Sequence, residues 1–258
     1  MPSPRPGGEG VAGRKATLAQ LRQSLAQFQG GHGGLPFGLA AIDAALPEGL
    51  ARGALHEVSG LGAAAEEAAE ATAFLAGILA RLAPERPVLW CLKRRDLHVL
   101  GLARHGLKPG RLILAEARGA AELLWAMEEG LKCRALAAVV GELDGLTLAA
   151  SRRLQLAAEG SGVTAFVLNR HSRSAVVPLM MAAARPVAAV TRWRIAALPG
   201  RPKGEPGLAP ERWLVELWRC RGGVPARWMV EACDATGHVL GADELADRPL
   251  APAWRAAG

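Results

Sequence analysis

Residues 54–92 read ALHEVSGLGAAAEEAAEATAFLAGILARLAPERPVLWCL. A short β-rich run at 54–59 leads through a glycine-containing loop into an Ala-rich stretch of helical spacing at 63–82, and then into a second apolar run at 87–92. Strand, loop, helix and strand in that order make one βαβ unit, in which the helix carries the chain back so that the strands lie parallel. The alternation continues with a helix at 96–105, a strand at 111–115, a helix at 119–131, a strand at 136–140, a helix at 146–159 and a strand at 163–168. These strands are apolar almost throughout, which implies a parallel sheet covered on both faces. After Ala183 strand follows strand, at 187–195, 213–218 and 226–231, between Pro/Gly turns, and the run reads as an antiparallel continuation of the same sheet.

The chain has 258 residues, half of them apolar and 21% charged, a globular composition that excludes an intrinsically disordered chain. Its organisation reads as a flexible N-terminus at 1–34, one α/β domain at 35–240 and a tail at 241–258. No run of 18 apolar residues occurs, and MPSPRPGGEG lacks the apolar centre of a signal peptide, so the expectation is a soluble cytoplasmic protein without a membrane partner. Cys91, Cys133, Cys220 and Cys233 lie far apart with no C-x-x-C pair and are expected as free thiols.

Residues 16–28 carry Leu18, Leu21, Leu25 and Phe28 on one helical face and polar residues on the other, followed by the hinge GGHGG at 30–34. Such a helix either folds back on its own domain or docks on a partner.

The loop after the first strand of such a sheet is the usual phosphate site. It requires G-x-x-x-x-G-K-[ST], in which backbone N–H groups close round the phosphates, the lysine neutralises them and the hydroxyl holds magnesium. Counting from Gly60 places Ala65 at the second glycine, Glu66 at the lysine and Glu67 at the hydroxyl. Two unit charges about 4 Å apart interact by roughly 4 kcal/mol at an effective dielectric near 20. Glu66 therefore turns an attraction for triphosphate into a repulsion of similar size. In the first turn of a helix both carboxylates have a structural use, facing its positive end. Gly141 stands where the strand at 136–140 would carry an acid for magnesium, and Glu142, the next residue, points to the other face by strand alternation. No cofactor or metal is expected, and His98 and His105, seven apart on one helical face without neighbouring carboxylates, read as packing or surface histidines.

Lys and Arg outnumber Asp and Glu by 31 to 24, giving a net charge of +7 and making nucleic acid or an acidic surface a plausible partner. Residues 81–118 hold nine basic and three acidic residues, against four acidic and no basic at 57–80. The candidate DNA contacts are Lys93, Arg94, Arg95, Arg104, Arg152 and Arg153, a sequence-indifferent and salt-sensitive set if they act, and ordinary solvated surface if they do not. Trp193, Trp213, Trp218 and Trp228 read either as core or as base-stacking platforms.

LPFGLAAIDAALPEGLARGALHEVSG at 35–60 resembles the start of a RecA-fold core, G-x-x-x-[IL]-D-x-x-L followed by G-G-[LI]-x-x-G-x-[LIV]-x-E-[IV]-x-G. With VLWCL, GLKPGRLILAEA, ELLWAMEEGLKCRALAAVVGEL, ASRRLQLAAEGSGVTAFVL and TRWRIAALPG, residues 16–240 resemble the ImuA family of bacterial damage-induced mutagenesis cassettes. The resemblance implies a RecA-like core and a non-catalytic accessory protein of SOS-inducible translesion DNA synthesis. Its implied partners are RecA, the Y-family-like polymerase homologue ImuB and an error-prone replicative-type DNA polymerase, with the apolar stripe at 18–28 as the docking element and DNA as a weak contact. Two alternatives stand beside it: a weak ATPase using Glu142 or Asp144, and a cell-division inhibitor of related fold that binds a tubulin-like protein.

Overall fold

The computed structural model describes residues 33–46, 48–61, 65–169, 186–198 and 211–241. The chain divides into two units, Met1–Gly33 and Gly34–Gly258, and every element named here belongs to the second. The helix expected at 16–28, with Leu18, Leu21, Leu25 and Phe28, lies outside the described residues, as does the tail beyond Gly241.

Helix α1 (Ala40–Ala45), for which the sequence pattern gave no signal, is a short turn whose Asp43 carboxylate accepts from the backbone N–H groups of Phe37 at 2.7 Å and Gly38 at 2.9 Å. Strand β1 (Leu55–Gly60) and helix α2 (Ala65–Arg81) follow, then β2 (Val88–Leu92), the single turn α3 (Val99–Leu102) and β3 (Leu112–Glu116). The helix expected at 96–105 is thus reduced to one α turn and a 3-10 turn at Ala103–His105, closed by Gly106 at φ 86°. Helix α4 (Ala120–Lys132), β4 (Ala138–Leu143), α5 (Leu148–Ser161) and β5 (Thr164–Asn169) complete the alternating part. Thr147 caps α5 by accepting from the N–H of Ala150 at 3.2 Å, and Gly162 ends it at φ 78°.

β6 (Thr191–Leu198), β7 (Arg212–Cys220), β8 (Ala226–Glu231) and β9 (Leu240–Gly241) extend the sheet, whose order is β3-β2-β4-β5-β1-β6-β7-β8-β9. β6 differs from expectation: it pairs parallel with β1, and antiparallel pairing begins only between β6 and β7. A parallel neighbour needs a crossover of a dozen residues or more, and the 21 positions between Asn169 and Thr191 are enough.

Two apolar layers hold the sheet. On one face Ala71, Phe74, Leu75, Ile78 and Leu79 of α2, at helical spacing, pack on Val58, Val140, Phe166, Trp193, Trp213 and Trp228. On the other, Leu123, Met127 and Leu131 of α4 and Leu154 and Ala158 of α5 pack on Leu55, Cys91, Val139 and Val167. Of the tryptophans offered as stacking platforms, Trp193, Trp213 and Trp228 are core, and Trp218 lies beneath the Arg194 guanidinium, 3.8 Å from its ring centre. Gly77 lets α2 close on the segment after β8, where an added Cβ would come within 2.4 Å of the Cys233 sulfur.

Candidate functional site

The carboxyl ends of the parallel strands bring the sequence-predicted positions to one edge of the sheet, where open α/β sheets bind their ligands. Gly60 ends β1 in ladder with Ile195, and Ala65, Glu66 and Glu67 open α2. The next positions come from β2 and β4, and here the structure shifts the sequence reading. β4 runs on to Leu143, so that Gly141 and Glu142 lie within the strand instead of after it.

Gly141 faces α4, and a Cβ there would come within 2.1 Å of the Met127 sulfur and 2.9 Å of Leu123 Cδ2. Side chains of α4 fill the space beside Gly141. Glu142 points to the opposite layer, only 4% exposed, where the Trp90 indole N–H donates to its Oε1 at 2.9 Å. Asp144, just past the strand, meets Lys93 Nζ at 2.6 Å. Each carboxylate near the end of β4 therefore already has a protein partner.

The candidate DNA contacts fall on three separate elements. Lys93, Arg94 and Arg95 follow β2 directly; Arg104 belongs to the 3-10 turn; Arg152 and Arg153 project from α5. Lys93 pairs with Asp144, Arg95 with Glu116 at 2.6 Å and Arg153 with Glu128 at 2.6 Å. Arg94, Arg104 and Arg152 are exposed and without an ion pair among the described residues. His105 donates to the carbonyl of Cys233 at 3.1 Å and packs on Trp213, a structural role, while His98 is exposed beside α3. No group of three or more His, Cys, Asp or Glu side chains among the described residues could hold a metal ion.

Sequence reasoning missed a polar cluster buried on the α5 side of β5, β1, β6 and β7. Glu57, 6% exposed, is ion-paired with Arg192, Nε to Oε2 at 2.8 Å, and its Oε1 accepts from Arg192 Nη2 at 3.1 Å and from the Asn169 amide. Alongside it Arg194 meets Glu216 at 2.6 Å. In pairs buried this deeply, removing one partner leaves an uncompensated charge. The available signal was a charged residue at the centre of each apolar strand, LHEVSG, TRWRI and LVELW.

His56 was also missed. It is fully buried between Thr191, Ala51 and Phe166. The Ala51 carbonyl can only accept, so Nε2 carries the proton, donating at 2.8 Å, and Nδ1 accepts from the Thr191 hydroxyl at 2.7 Å. Thr191 in turn accepts from Trp193 Nε1 at 2.7 Å. Burial pushes the imidazole pKa down from the usual 6.5 to about 4, against the raising effect of the Ala51 carbonyl.

Sheet order and helices on both faces define a RecA-like α/β domain. No family model matches the chain. It is 40% identical over 211 residues to Protein ImuA of Caulobacter vibrioides strain NA1000 / CB15N, an alignment covering 79% of this chain and 85% of the relative. Protein ImuA of the same species, strain ATCC 19089 / CIP 103742 / CB 15, gives the same figures. The chain belongs to the ImuA family.

Proposed function

We propose that this chain is a non-catalytic accessory protein of damage-induced mutagenesis, a RecA-like subunit that links RecA to error-prone polymerase components, ImuB among them, in translesion synthesis. The observation that carries the reading is at Gly141, where Met127 occupies the space an acid for magnesium would need. The carboxylates at Glu66 and Glu67 support it, because they stand where phosphate and magnesium would require a cation and a hydroxyl. A fold kept without its nucleotide chemistry retains its surfaces, and those are what a linking subunit uses.

Two measurements test the reading together. Calorimetry with Mg-ATP is expected to show no affinity tighter than about millimolar, a weak-binding regime near 4 kcal/mol; a micromolar constant overturns the non-catalytic reading. Pull-down from DNA-damaged cells is expected to recover RecA and the polymerase components. Leu21→Asp/Leu25→Asp is expected to abolish RecA recovery while circular dichroism of the domain stays unchanged. DNA contact, resting on Arg94, Arg104 and Arg152 with the paired Lys93, Arg95 and Arg153, is expected to be weak and steeply salt-dependent.

A further inference from the structure

Among the described residues the outermost strand of the sheet, β3, has an open edge. Among these residues it has β2 on one side and no strand on the other, and apart from the ladder to β2, residues 113–116 form no backbone hydrogen bond with them. Soluble proteins blunt such an edge with charge, proline, a bulge or a covering segment. LILAE has no proline, pairs with β2 in unbroken register and bears one charge, at its last residue, held to Arg95. It is also uncovered: Ile113 on the α4 side is 48% exposed and Leu114 on the other face 49%. The opposite end of the sheet, by contrast, closes with a strand of only two residues, Leu240–Gly241.

The open strand is held rigidly. Arg111, immediately before it, donates to the carbonyls of Leu79, Ala80, Leu82, Ala83 and Arg86 at 2.9–3.2 Å, tying the start of β3 to the end of α2. A preordered edge loses little conformational freedom when it gains a partner.

The order of side chains along β3 fits its own reverse. Antiparallel pairing centred on Leu114 sets Leu114 opposite itself, Ile113 opposite Ala115 and Leu112 opposite Glu116. On one face the larger Ile113 meets the small Ala115 at both ends. On the other, the two glutamates fall at opposite ends, about 13 Å apart at roughly 3.3 Å per residue, each beside its own Arg95. No like charges oppose one another directly. We propose that β3 pairs antiparallel with β3 of a second copy of this chain, about a two-fold axis at Leu114, joining two sheets into one. A contact of this kind is isologous and closes on itself.

Sedimentation equilibrium of the full chain from low to high micromolar concentration tests it. The mass is expected to rise from that of one chain, 26.9 kDa, toward twice that value. Ile113→Lys/Leu114→Lys is expected to hold it at one chain with an unchanged melting temperature, since both side chains are half exposed. A monomer at every concentration overturns the proposal, and so does a dimer that the lysines leave intact. If the lysine variant does not fold, cross-linking decides instead. In a Cys133→Ser background, Leu114→Cys is expected to join to itself through a short bismaleimide at several times the yield of Leu156→Cys, which is exposed on α5; equal yields overturn the two-fold at Leu114.

Discussion

The indole N–H of Trp90 on β2 donates to the Glu142 carboxylate on the adjacent β4 at 2.9 Å, with Trp90 fully buried and Glu142 nearly so. A carboxylate in that position is a structural acceptor, and its partner is supplied by the neighbouring strand. Removing a donor from a buried acceptor costs about 1–3 kcal/mol beyond any change in packing. Trp90→Phe is therefore expected to lose that amount in addition to a packing cost, and Glu142→Gln to lose less. A double-mutant cycle by urea denaturation should give a coupling of about 1 kcal/mol or more; additive effects would leave the bond without energetic weight.

Gly141 gives a prediction with the opposite intent, the attempted repair of a nucleotide site. Gly141→Asp brings a Cβ within 2.1 Å of the Met127 sulfur, so α4 must shift before any carboxylate is accommodated. Overpacking of this kind costs about 1–3 kcal/mol, and a buried unpaired carboxylate adds to it. Even combined with Glu66→Lys and Glu67→Thr, the variant is expected to melt earlier and to gain no ATP turnover. Met127→Ala in the same background should recover part of the lost stability, which thermal unfolding would detect.

The alternating part of the fold was legible because parallel strands buried on both faces leave apolar runs such as VLWCL and LAAVV, and α2 repeats its apolar positions at helical spacing. What escaped was set by partners distant in the chain. The strand ending at Leu143 looked shorter because Gly141 and Glu142 interrupt an apolar run, and only Met127 and Trp90 show why both belong inside the sheet. Glu57 and Arg192, 135 positions apart, are adjacent only after β6 takes its place beside β1. The basic run at 93–95 read as a candidate DNA contact or as solvated surface, and Asp144 and Glu116 each claim one member.

The four cysteines are free thiols, as their spacing suggested, and they differ in reactivity. Burial pushes the thiol pKa of Cys91 and of Cys233 up to about 12, with Arg81 lowering that of Cys233 in part, whereas Cys133 is exposed after α4. The thiolate is the nucleophile, so labelling by a disulfide reagent at pH 8 should modify Cys133 first, Cys220 more slowly, and Cys91 and Cys233 only after unfolding. Cys133→Ser should remove the fast phase. A fast phase that persists in that variant would place the reactive thiol elsewhere.

His56 sets how the domain responds to acid. It is neutral and fully buried in the native state with a pKa of about 4, against 6.5 when unfolded. Between these values the unfolded chain binds a proton that the native chain does not, so stability falls as pH drops from about 6.5 toward 4 and is unaffected by this group above that window. At about 1.4 kcal/mol per unit, the full difference amounts to about 3 kcal/mol. Urea denaturation from pH 7.5 to 4.5 is expected to show a slope approaching one proton attributable to this residue. His56→Gln can keep a bond to either Ala51 or Thr191, so it should lower stability at neutral pH while flattening the slope by most of that proton. A variant with the parent slope would assign the acid sensitivity to another group and leave His56 with a packing role alone.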